Sequence, residues 1–262
     1  MTIIQSIILG IVQGLTEFLP ISSSGHLNLF PWVFNWQQMP DSFDVALHIG
    51  TLLAIVIYFW KDWLNLIIGG YNQTIKKKPS TEGKIFWYIV ISTIPAGVLS
   101  LVLDKIVGKI IGDNLNLEML LIAIALIVLG IVLYIVDKKS KTNTDYEHIT
   151  FKQSLFIACS QALAAAFPGT SRSGITMTTA RYLGVDRESA AKYSFLLATP
   201  ITLAAVVFDI KHFVFNASFF IGILTSFIVG FIVIKFLMDY ILQESNWKRV
   251  GKGDGSLLHI FK

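Results

Sequence analysis

Two short polar stretches of this sequence combine residue types that can bind or transfer a phosphoryl group. The first, GLTEFLPISSSGH at residues 14–26, contains Glu17, three consecutive serines and His26. The second, FPGTSRSGIT at 167–176, contains Arg172 between two serines. A guanidinium has the planar fork that suits phosphate, and an imidazole can carry a proton near neutral pH. We therefore predict that both stretches contribute to one phosphate-handling site.

Arg172 is the strongest candidate for phosphate binding, because a fixed charge between two apolar half-helices has few structural uses. The alternative is a structural Arg that pairs with Glu17. A helix predicted to begin near Gly174 would also aim its N-terminal amides at an anion. The hydroxyl residues expected to assist in phosphate binding are Thr170, Ser171, Ser173 and Thr176.

The serine-rich turn of the first stretch is predicted to cradle an anion with backbone N–H groups, although a plain polar turn is the simpler alternative. Its expected substrate-binding residues are Ser22, Ser24 and Gly25. His26 could shuttle a proton or attack phosphorus itself, whereas Ser23 would need a base to activate its hydroxyl. The sequence does not choose between these two nucleophiles.

Gln13 and Glu17 are four residues apart on a predicted helix, so their side chains share one face. Both offer oxygen atoms, which suit a hard divalent cation, Mg²⁺ or Ca²⁺. A carboxylate at membrane depth is costly, which favours function over simple capping. Asp44 and His48 begin the next apolar run, where Asp44 could cap a helix and His48 could face a cavity.

The elements that position these residues are predicted to be membrane helices. The 262 residues are 54% hydrophobic and 15% charged, whereas soluble domains carry about 25% charged residues. Apolar runs long enough to cross a bilayer are predicted at 43–60, 85–103, 115–136, 189–209 and 213–242. We therefore expect an all-α polytopic protein with five to six transmembrane helices, which forms one integral membrane domain over residues 1–262.

Two further apolar segments, 3–19 and 153–167, are each followed by a Pro, a Ser/Gly loop and a second short apolar piece. Because Pro interrupts a helix, each pair is predicted to be a re-entrant helical hairpin. Irregular backbone at membrane depth is tolerated only around a polar cavity. The two hairpins are therefore expected to enclose a buried polar site.

A constant shift of 148 residues supports an internal repeat, because it places several residues of the first hairpin on identical residues of the second. The aligned pairs include Gln13 with Gln161, Pro20 with Pro168, Ser23 with Ser171, and Thr51 with Thr199. The predicted halves are residues 1–112 and 150–242, in inverted topology. Inverted repeats with broken helices place a binding site at their interface.

Basic residues cluster in the segments 61–84, 137–152, 181–192 and 244–262, which we assign to cytoplasmic loops and the tail. The first hairpin then enters the bilayer from outside and the second from inside. The same placement accounts for the net charge of +4 without a nucleic-acid partner. The single Cys159 excludes an intramolecular disulfide and a Cys-based zinc site.

The pairing of QGLTEFLPISSSGH with PGTSRSGIT resembles the undecaprenyl-diphosphate phosphatase family, also called the bacitracin-resistance protein family. The resemblance extends over about residues 1–240 and includes FDVALHIGTLLAIVIYFW and RYLGVDRESAAKYSFLLATP. It implies an enzyme of the bacterial inner membrane that removes the terminal phosphate from undecaprenyl diphosphate, mostly at the outer face. Such an enzyme recycles the lipid carrier of cell-wall synthesis and confers resistance to bacitracin.

The resemblance also assigns roles to individual residues. The family's acidic motif falls on Gln13 and Glu17, its essential His on His26, and its proposed nucleophile on Ser23. Its Arg motif falls on Ser171, Arg172, Ser173 and Thr176. A divalent cation, inverted repeats, two re-entrant hairpins and six spans are further implications of the resemblance.

The C-terminal segment departs from the family pattern. Relatives usually end in another hydrophobic helix, whereas residues 243–262 read QESNWKRVGKGDGSLLHIFK. We expect a divergent polar tail that does not cross the bilayer, and we expect the chemistry to be retained because the motifs lie upstream.

Two other functions stay open on the sequence alone. A transporter or flippase of polyprenyl phosphate lipids would also need opposed repeats around a polar midplane. A catalytically silent membrane scaffold is the third class. The expected partners are a polyprenyl diphosphate lipid and the lipid bilayer, and a homo-oligomer is compatible with the sequence.

Overall fold

A computed structural model describes residues 1–111, 115–167 and 169–250, and these residues contain α-helices and two short 3₁₀ turns but no β-strand. The all-α prediction is therefore confirmed for the described ranges. The helices are α1 Ile3–Thr16, α2 Ser23–Val33, α3 Asp41–Tyr58, α4 Trp60–Thr74, α5 Thr81–Ile111, α6 Leu115–Lys139, α7 Phe151–Ser160, α8 Ala162–Ala166, α9 Arg172–Tyr182, α10 Arg187–Asp209 and α11 Ala217–Val250.

Four of the described helices, α5, α6, α10 and α11, are long and apolar enough to cross a membrane, as predicted for the last four apolar runs. The run at 43–60 behaves differently. It forms α3, which reaches spanning length only together with α4, and these two helices meet at an angle of 76°. The structure therefore provides four spans, or five when this bent pair is counted as one.

The segment 61–84 is predicted to be a loop, and the structure contradicts this for its first part, which forms α4. The helix forms because Gly69 and Gly70 allow it to lie directly against α5. A Cβ on Gly69 would be 2.7 Å from the backbone nitrogen of Gly83, and Gly70 faces the ring of Phe86. Close helix contact through small residues is common in membranes and is hard to recognise from composition.

The first hairpin consists of α1, a turn at residues 17–22, and α2. Thr2 caps α1 in a capping box with Gln5, in which each side chain bonds the other residue's backbone N–H. The helix ends at Thr16, ahead of Pro20, as the sequence predicts. Ser22 then caps α2 by accepting a hydrogen bond from the Gly25 backbone.

The second hairpin consists of α7, α8 and α9, and its first arm has a break that the sequence does not predict. Thr150 caps α7 in a capping box with Gln153, and α7 ends at Ser160. A distorted turn at Gln161 separates α7 from α8. Ser171 caps α9, which begins at Arg172, two residues before the predicted start near Gly174. Pro168 lies outside the described residues.

The helix caps show how the two hairpins correspond. Their first arms align at the predicted shift of 148, because Thr2 and Thr150 hold the same capping boxes. The second arms align at 149, since the caps are Ser22 and Ser171. The sequence register therefore places Ser23 on Ser171, whereas the caps place Ser23 on Arg172.

The first hairpin packs on α11 through two glycines of α1. A Cβ on Gly10 would lie 2.8 Å from Thr225 Cβ, and one on Gly14 would lie 2.7 Å from Val229 Cβ. The spacing of four residues puts both glycines on one face of α1. The backbones of α1 and α11 can approach this closely only because no side chain intervenes.

An ionic cluster at the end of α6 holds the second hairpin. Arg181 of α9 donates from Nε to Asp137 Oδ1 at 2.8 Å, and Arg187 at the start of α10 donates from Nη2 to Oδ2 at 2.5 Å. Arg181 is 6% exposed and also bonds the carbonyl of Val185. Asp137 therefore links three helices at one end of the bundle.

The structure changes part of the prediction that residues 243–262 form a polar tail. The helix α11 continues to Val250, so residues 243–250 of the predicted polar tail are helical. Residues 251–262 lie outside the described part of the chain.

Candidate active site

Glu17 lies at the centre of a polar network in the turn of the first hairpin. Its carboxylate is 7% exposed and accepts hydrogen bonds at Oε2 from Ser23 Oγ at 2.6 Å and from Gln13 Nε2 at 3.1 Å. His48 of α3 places Nε2 at 3.5 Å from the same oxygen. A buried carboxylate needs such donors, because desolvation without compensation costs several kcal/mol.

Arg172 brings the second hairpin onto this carboxylate. Its Nη2 forms an ion pair with Glu17 Oε1, and its Nη1 donates to Thr202 Oγ1 at 2.7 Å. The carbonyl of Ala198 lies 3.4 Å from the same nitrogen. Contacts with Glu17 on one side and α10 on the other fix the plane of the guanidinium. Both alternatives for Arg172 thus have support, since it pairs with Glu17 and also lines a cavity.

Two helix N-termini open onto that cavity. Ser22, Ser23 and Ser24 at the start of α2 line it, as do Ser171 and Arg172 at the start of α9. The first backbone N–H groups of a helix have no intrahelical acceptor and carry partial positive charge. The partial positive charge of two helix N-termini is therefore located at the cavity lining.

Backbone geometry in both hairpin turns is specialised. Ser22 adopts φ of 64°, which is unusual for a residue with a side chain and is typically found at functional sites. Gly169 adopts φ of 83°, and a Cβ there would lie 2.6 Å from Ile122 Cα. The second turn thus requires glycine at position 169, both for its conformation and for its approach to α6.

The cavity has a volume of about 310 Å³, and its lining residues divide into two chemical classes. The polar class includes Glu17, Ser23, His48 and Arg172. The apolar class, which we call the apolar wall, includes Ala164, Ala165, Ile201, Ala205 and Val206. A ligand with a charged head and an apolar chain would match this division.

The structure brings seven of the predicted site residues to the cavity wall. These are Glu17, Ser22, Ser23, Ser24, Thr170, Ser171 and Arg172. Gln13 lies behind Glu17, fully buried. Gly25 lies behind Ser22 and donates its N–H to the Ser22 hydroxyl at 3.2 Å.

Three predicted site residues instead bond the protein next to the cavity. Ser173 Oγ lies 3.2 Å from the carbonyls of Glu17 and Leu19, so it joins the two hairpins. Thr176 Oγ1 donates to the carbonyl of Arg172 at 2.8 Å. His26 places Nδ1 at 2.8 Å from the carbonyl of Ser22, and it is not among the described residues that line the cavity.

The sequence gives little or no indication that three of the residues lining the cavity belong to a functional site. His48 is noted there only as a residue that could face a cavity, whereas Gln161 and Thr202 have no assigned role. The sequence feature that could have identified Gln161 is its alignment with Gln13, and the feature that could have identified His48 is its position one helical turn after Asp44. Thr202 carries no recognisable signal, because its role depends on where Arg172 lies.

The site geometry can be set beside known proteins. The profile of the family described as "Bacitracin resistance protein BacA" matches residues 6–248. An "Undecaprenyl-diphosphatase" of Caldicellulosiruptor bescii is 46% identical over 95% of this chain and 92% of the relative. A protein of the same name from Pelotomaculum thermopropionicum is 44% identical, covering 94% and 90% of the two chains. A third, from Moorella thermoacetica, is 40% identical, covering 94% and 91%.

Proposed function

The chain belongs to the bacitracin resistance protein BacA family, and from this premise we propose that it hydrolyses undecaprenyl diphosphate to undecaprenyl phosphate and inorganic phosphate. This reaction recycles the lipid carrier of cell-wall synthesis and confers bacitracin resistance. The observation that carries the proposal is the contact of Ser23 and Arg172 with Glu17 inside one cavity. This arrangement supplies a nucleophile, a base and a fixed positive charge.

The division of the cavity supports a lipid diphosphate as the substrate. The helix N-termini and Arg172 would bind the diphosphate, because both favour negative charge. The wall that includes Ala165, Ile201 and Val206 would contact the first part of the polyprenyl chain. The remainder of the chain would lie among the membrane helices.

The Ser23 hydroxyl is the proposed nucleophile, because the geometry supplies the base that the sequence could not identify. Ser23 Oγ attacks the terminal phosphorus while its proton passes to Glu17 Oε2, 2.6 Å away. The bond between phosphorus and the bridging oxygen breaks, and undecaprenyl phosphate leaves with the electron pair. Water then hydrolyses the phosphoserine, which releases phosphate and restores the hydroxyl. Arg172 stabilises the charge that develops on the transferred group.

His26 is assigned a supporting role in this proposal. Its contact with the Ser22 carbonyl orients the ring from within the first turn of α2. Substrate binding would have to bring the ring to the cavity before it could shuttle a proton, as the family resemblance implies. Direct attack by His26 on phosphorus is the competing mechanism.

We further propose that Gln13 and Glu17 hold a divalent cation, Mg²⁺ or Ca²⁺, when the diphosphate is bound. The residues fit in one respect, since Gln13 Oε1 is a buried carbonyl oxygen without a hydrogen-bond partner among the described residues. Glu17 already accepts several hydrogen bonds, so binding requires a rearrangement around its carboxylate. The bound cation would neutralise phosphate charge.

The proposed location is the bacterial inner membrane, with the site open to its outer face. The apolar helices make the chain a multi-pass membrane protein, and the distribution of lysines supports the orientation. A lipid diphosphate released at the outer face would reach the cavity from the bilayer. Neither a nucleic-acid partner nor an obligatory oligomer is part of the proposal.

The proposal is tested with protein reconstituted in liposomes that contain undecaprenyl diphosphate labelled at the terminal phosphate. We expect release of labelled phosphate and appearance of undecaprenyl monophosphate, both suppressed by a chelator and restored by Mg²⁺. Movement of intact lipid between leaflets without phosphate release would instead favour a flippase. The absence of both activities would favour the scaffold alternative.

A further inference from the structure

Gln161 is a buried residue at the cavity wall whose amide group has no partner in the described part of the chain. It is 3% exposed, it lines the cavity, and both Nε2 and Oε1 lack a hydrogen-bond partner among the described residues. Leaving a buried amide without hydrogen bonds is destabilising, because the group loses its bonds to water and gains none in the protein. Such a group in a ligand cavity is therefore expected to find its partner in the ligand.

The backbone at Gln161 is shaped in a way that suits this role. The helix that would join α7 and α8 is interrupted there, and the Gln161 N–H bonds the carbonyl of Ala158, three residues earlier. Ala164 in turn donates to the carbonyl of Gln161 at 2.9 Å. Neither Pro nor Gly occurs at this break. Tight turns within helices often mark functional positions.

The corresponding residue of the first hairpin shows why Gln161 is unpartnered. Gln13 donates to Glu17, which lies four residues later on the same helix face. The residue four positions after Gln161 is Ala165, which also lines the cavity. The second hairpin therefore retains the amide but lacks the carboxylate, so the buried N–H₂ group has no acceptor among the described residues.

The position of Gln161 identifies the acceptor. The terminal phosphorus of the substrate must lie near Ser23 and Glu17, because the reaction takes place there. The second phosphoryl group must lie toward the apolar wall, because the lipid continues from it. Gln161 lines the cavity together with Ala164 and Ala165 of the apolar wall, and their spacing of three and four residues places them on the same helix face as Gln161.

We propose that Gln161 is a substrate-binding residue whose amide N–H₂ donates to the phosphoryl group that remains on the lipid. This inference rests on the proposed function, since it assigns the two phosphates of its substrate to different parts of one cavity. Its consequence is selectivity for diphosphates. A ligand with one phosphate occupies the Ser23 end and does not reach Gln161.

The test measures binding of inorganic pyrophosphate and of inorganic phosphate to the purified protein by calorimetry, with wild type and Gln161→Met. We expect the variant to bind pyrophosphate about tenfold more weakly, because a hydrogen bond to a charged group is lost. Phosphate binding should be unchanged, and KM for undecaprenyl diphosphate should rise by a similar factor.

The matched control is Gln73→Met, which makes the same change at another amide with an unpartnered oxygen, in α4 and away from the cavity. The control should leave both affinities unchanged. The midpoint of thermal unfolding of Gln161→Met should equal or exceed that of wild type, because no group of the described residues hydrogen-bonds the amide that the variant loses. Lower stability with unchanged pyrophosphate affinity would indicate a structural residue and overturn the inference.

The remaining outcomes separate this inference from the proposed function. Hydrolysis by wild type together with equal pyrophosphate affinity of both proteins would overturn the role of Gln161 alone. Pyrophosphate binding that depends on Gln161, without any hydrolysis, would overturn the phosphatase but keep the binding residue. Failure of wild type to bind pyrophosphate would overturn the inference about Gln161.

Discussion

Both hairpins begin with a Thr cap and a Gln capping box, and both resume after the turn with a Ser cap that bonds a Gly N–H. Their chemistry is nevertheless divided. The residue after the second cap is Ser23 in one hairpin and Arg172 in the other, and both contact Glu17. A repeated scaffold has thus placed a nucleophile and a cation on the same carboxylate.

The hairpins also differ in what holds them. Gly10 and Gly14 fit the first hairpin against α11, whereas Asp137 ties the second to α6 and α10 through two arginines. The glycines set the short distance between α1 and α11, whereas the hydrogen-bonded ion pairs of Asp137 set the orientation of α9 and α10 relative to α6. The two hairpins are therefore held by different contacts, the close packing of α1 on α11 and the ionic cluster at Asp137. Each contact can be disturbed by mutation without changing the other.

The largest effect is expected from breaking the contact between the two hairpins. Arg172→Ala should lower kcat by on the order of 10³ or more, because it removes the charge that faces the transferred phosphate. Glu17→Ala should have a similar effect, and the double variant should be little worse than either single one, since the two residues act as a unit. Phosphate release in liposomes measures all three. Simple multiplication of the two losses would show that the residues act independently.

The second largest effect is expected at Ser23, which occupies the position after the helix cap that Arg172 occupies in the second hairpin. Ser23→Ala should reduce the rate by roughly 10²–10³, because it removes the proposed nucleophile and leaves the base Glu17 without the hydroxyl that it would deprotonate. Ser6→Ala in the same hairpin is the control, as the Ser6 hydroxyl bonds only the carbonyl of Thr2 among the described residues. Acid quenching during turnover should trap labelled phosphoserine at position 23. Labelled phosphohistidine instead would transfer the role to His26.

A third prediction gives the second hairpin the carboxylate that the first hairpin has four residues after its Gln. Ala165→Glu restores the spacing of Gln13 and Glu17 after Gln161, and it adds a negative charge to the cavity. We expect pyrophosphate affinity to fall about 10- to 100-fold, by repulsion and by capture of the Gln161 amide. Ala165→Gln, which adds bulk without charge, should lose much less. Equal losses in the two variants would attribute the effect to size.

The smallest effect is expected from the packing of the first hairpin. Gly14→Ala should destabilise the protein by about 1–3 kcal/mol, because the added methyl group meets Val229 and the Gly230 backbone. Gly130→Ala in α6 is the control, since outside its own helix backbone no atom of the described residues lies within 4 Å of a Cβ there. Thermal unfolding in detergent measures both. An equal midpoint for the two variants would show that α1 and α11 can separate without penalty.

The sequence was informative where the signal is local. The spans of α5, α6, α10 and α11 follow from continuous apolar runs, and the end of α1 ahead of Pro20 follows from the chemistry of Pro. The contact of Glu17 with Arg172 could be proposed because a charge at membrane depth needs a partner. These inferences required no knowledge of the tertiary fold.

Other features depend on contacts that no local pattern encodes. The helix α4 forms against α5 through glycines, and the break at Gln161 occurs without Pro or Gly. The second hairpin has one more residue between its Thr cap and its Ser cap than the first, which changes the repeat register from 148 to 149, and only the caps reveal this change. The sequence could not rank His48 above His26 as a residue of the cavity, because the distance of His48 from the cavity depends on how α3 packs.

The glycine face of α1 has a consequence for how the protein is made. Gly10 and Gly14 leave the ribosome well before their contact surface on α11, which begins beyond residue 217. The first hairpin must therefore remain in the bilayer without this contact until α11 has been synthesised. Assembly of the catalytic cavity is thus a late event, and premature termination before α11 would leave an inactive membrane intermediate.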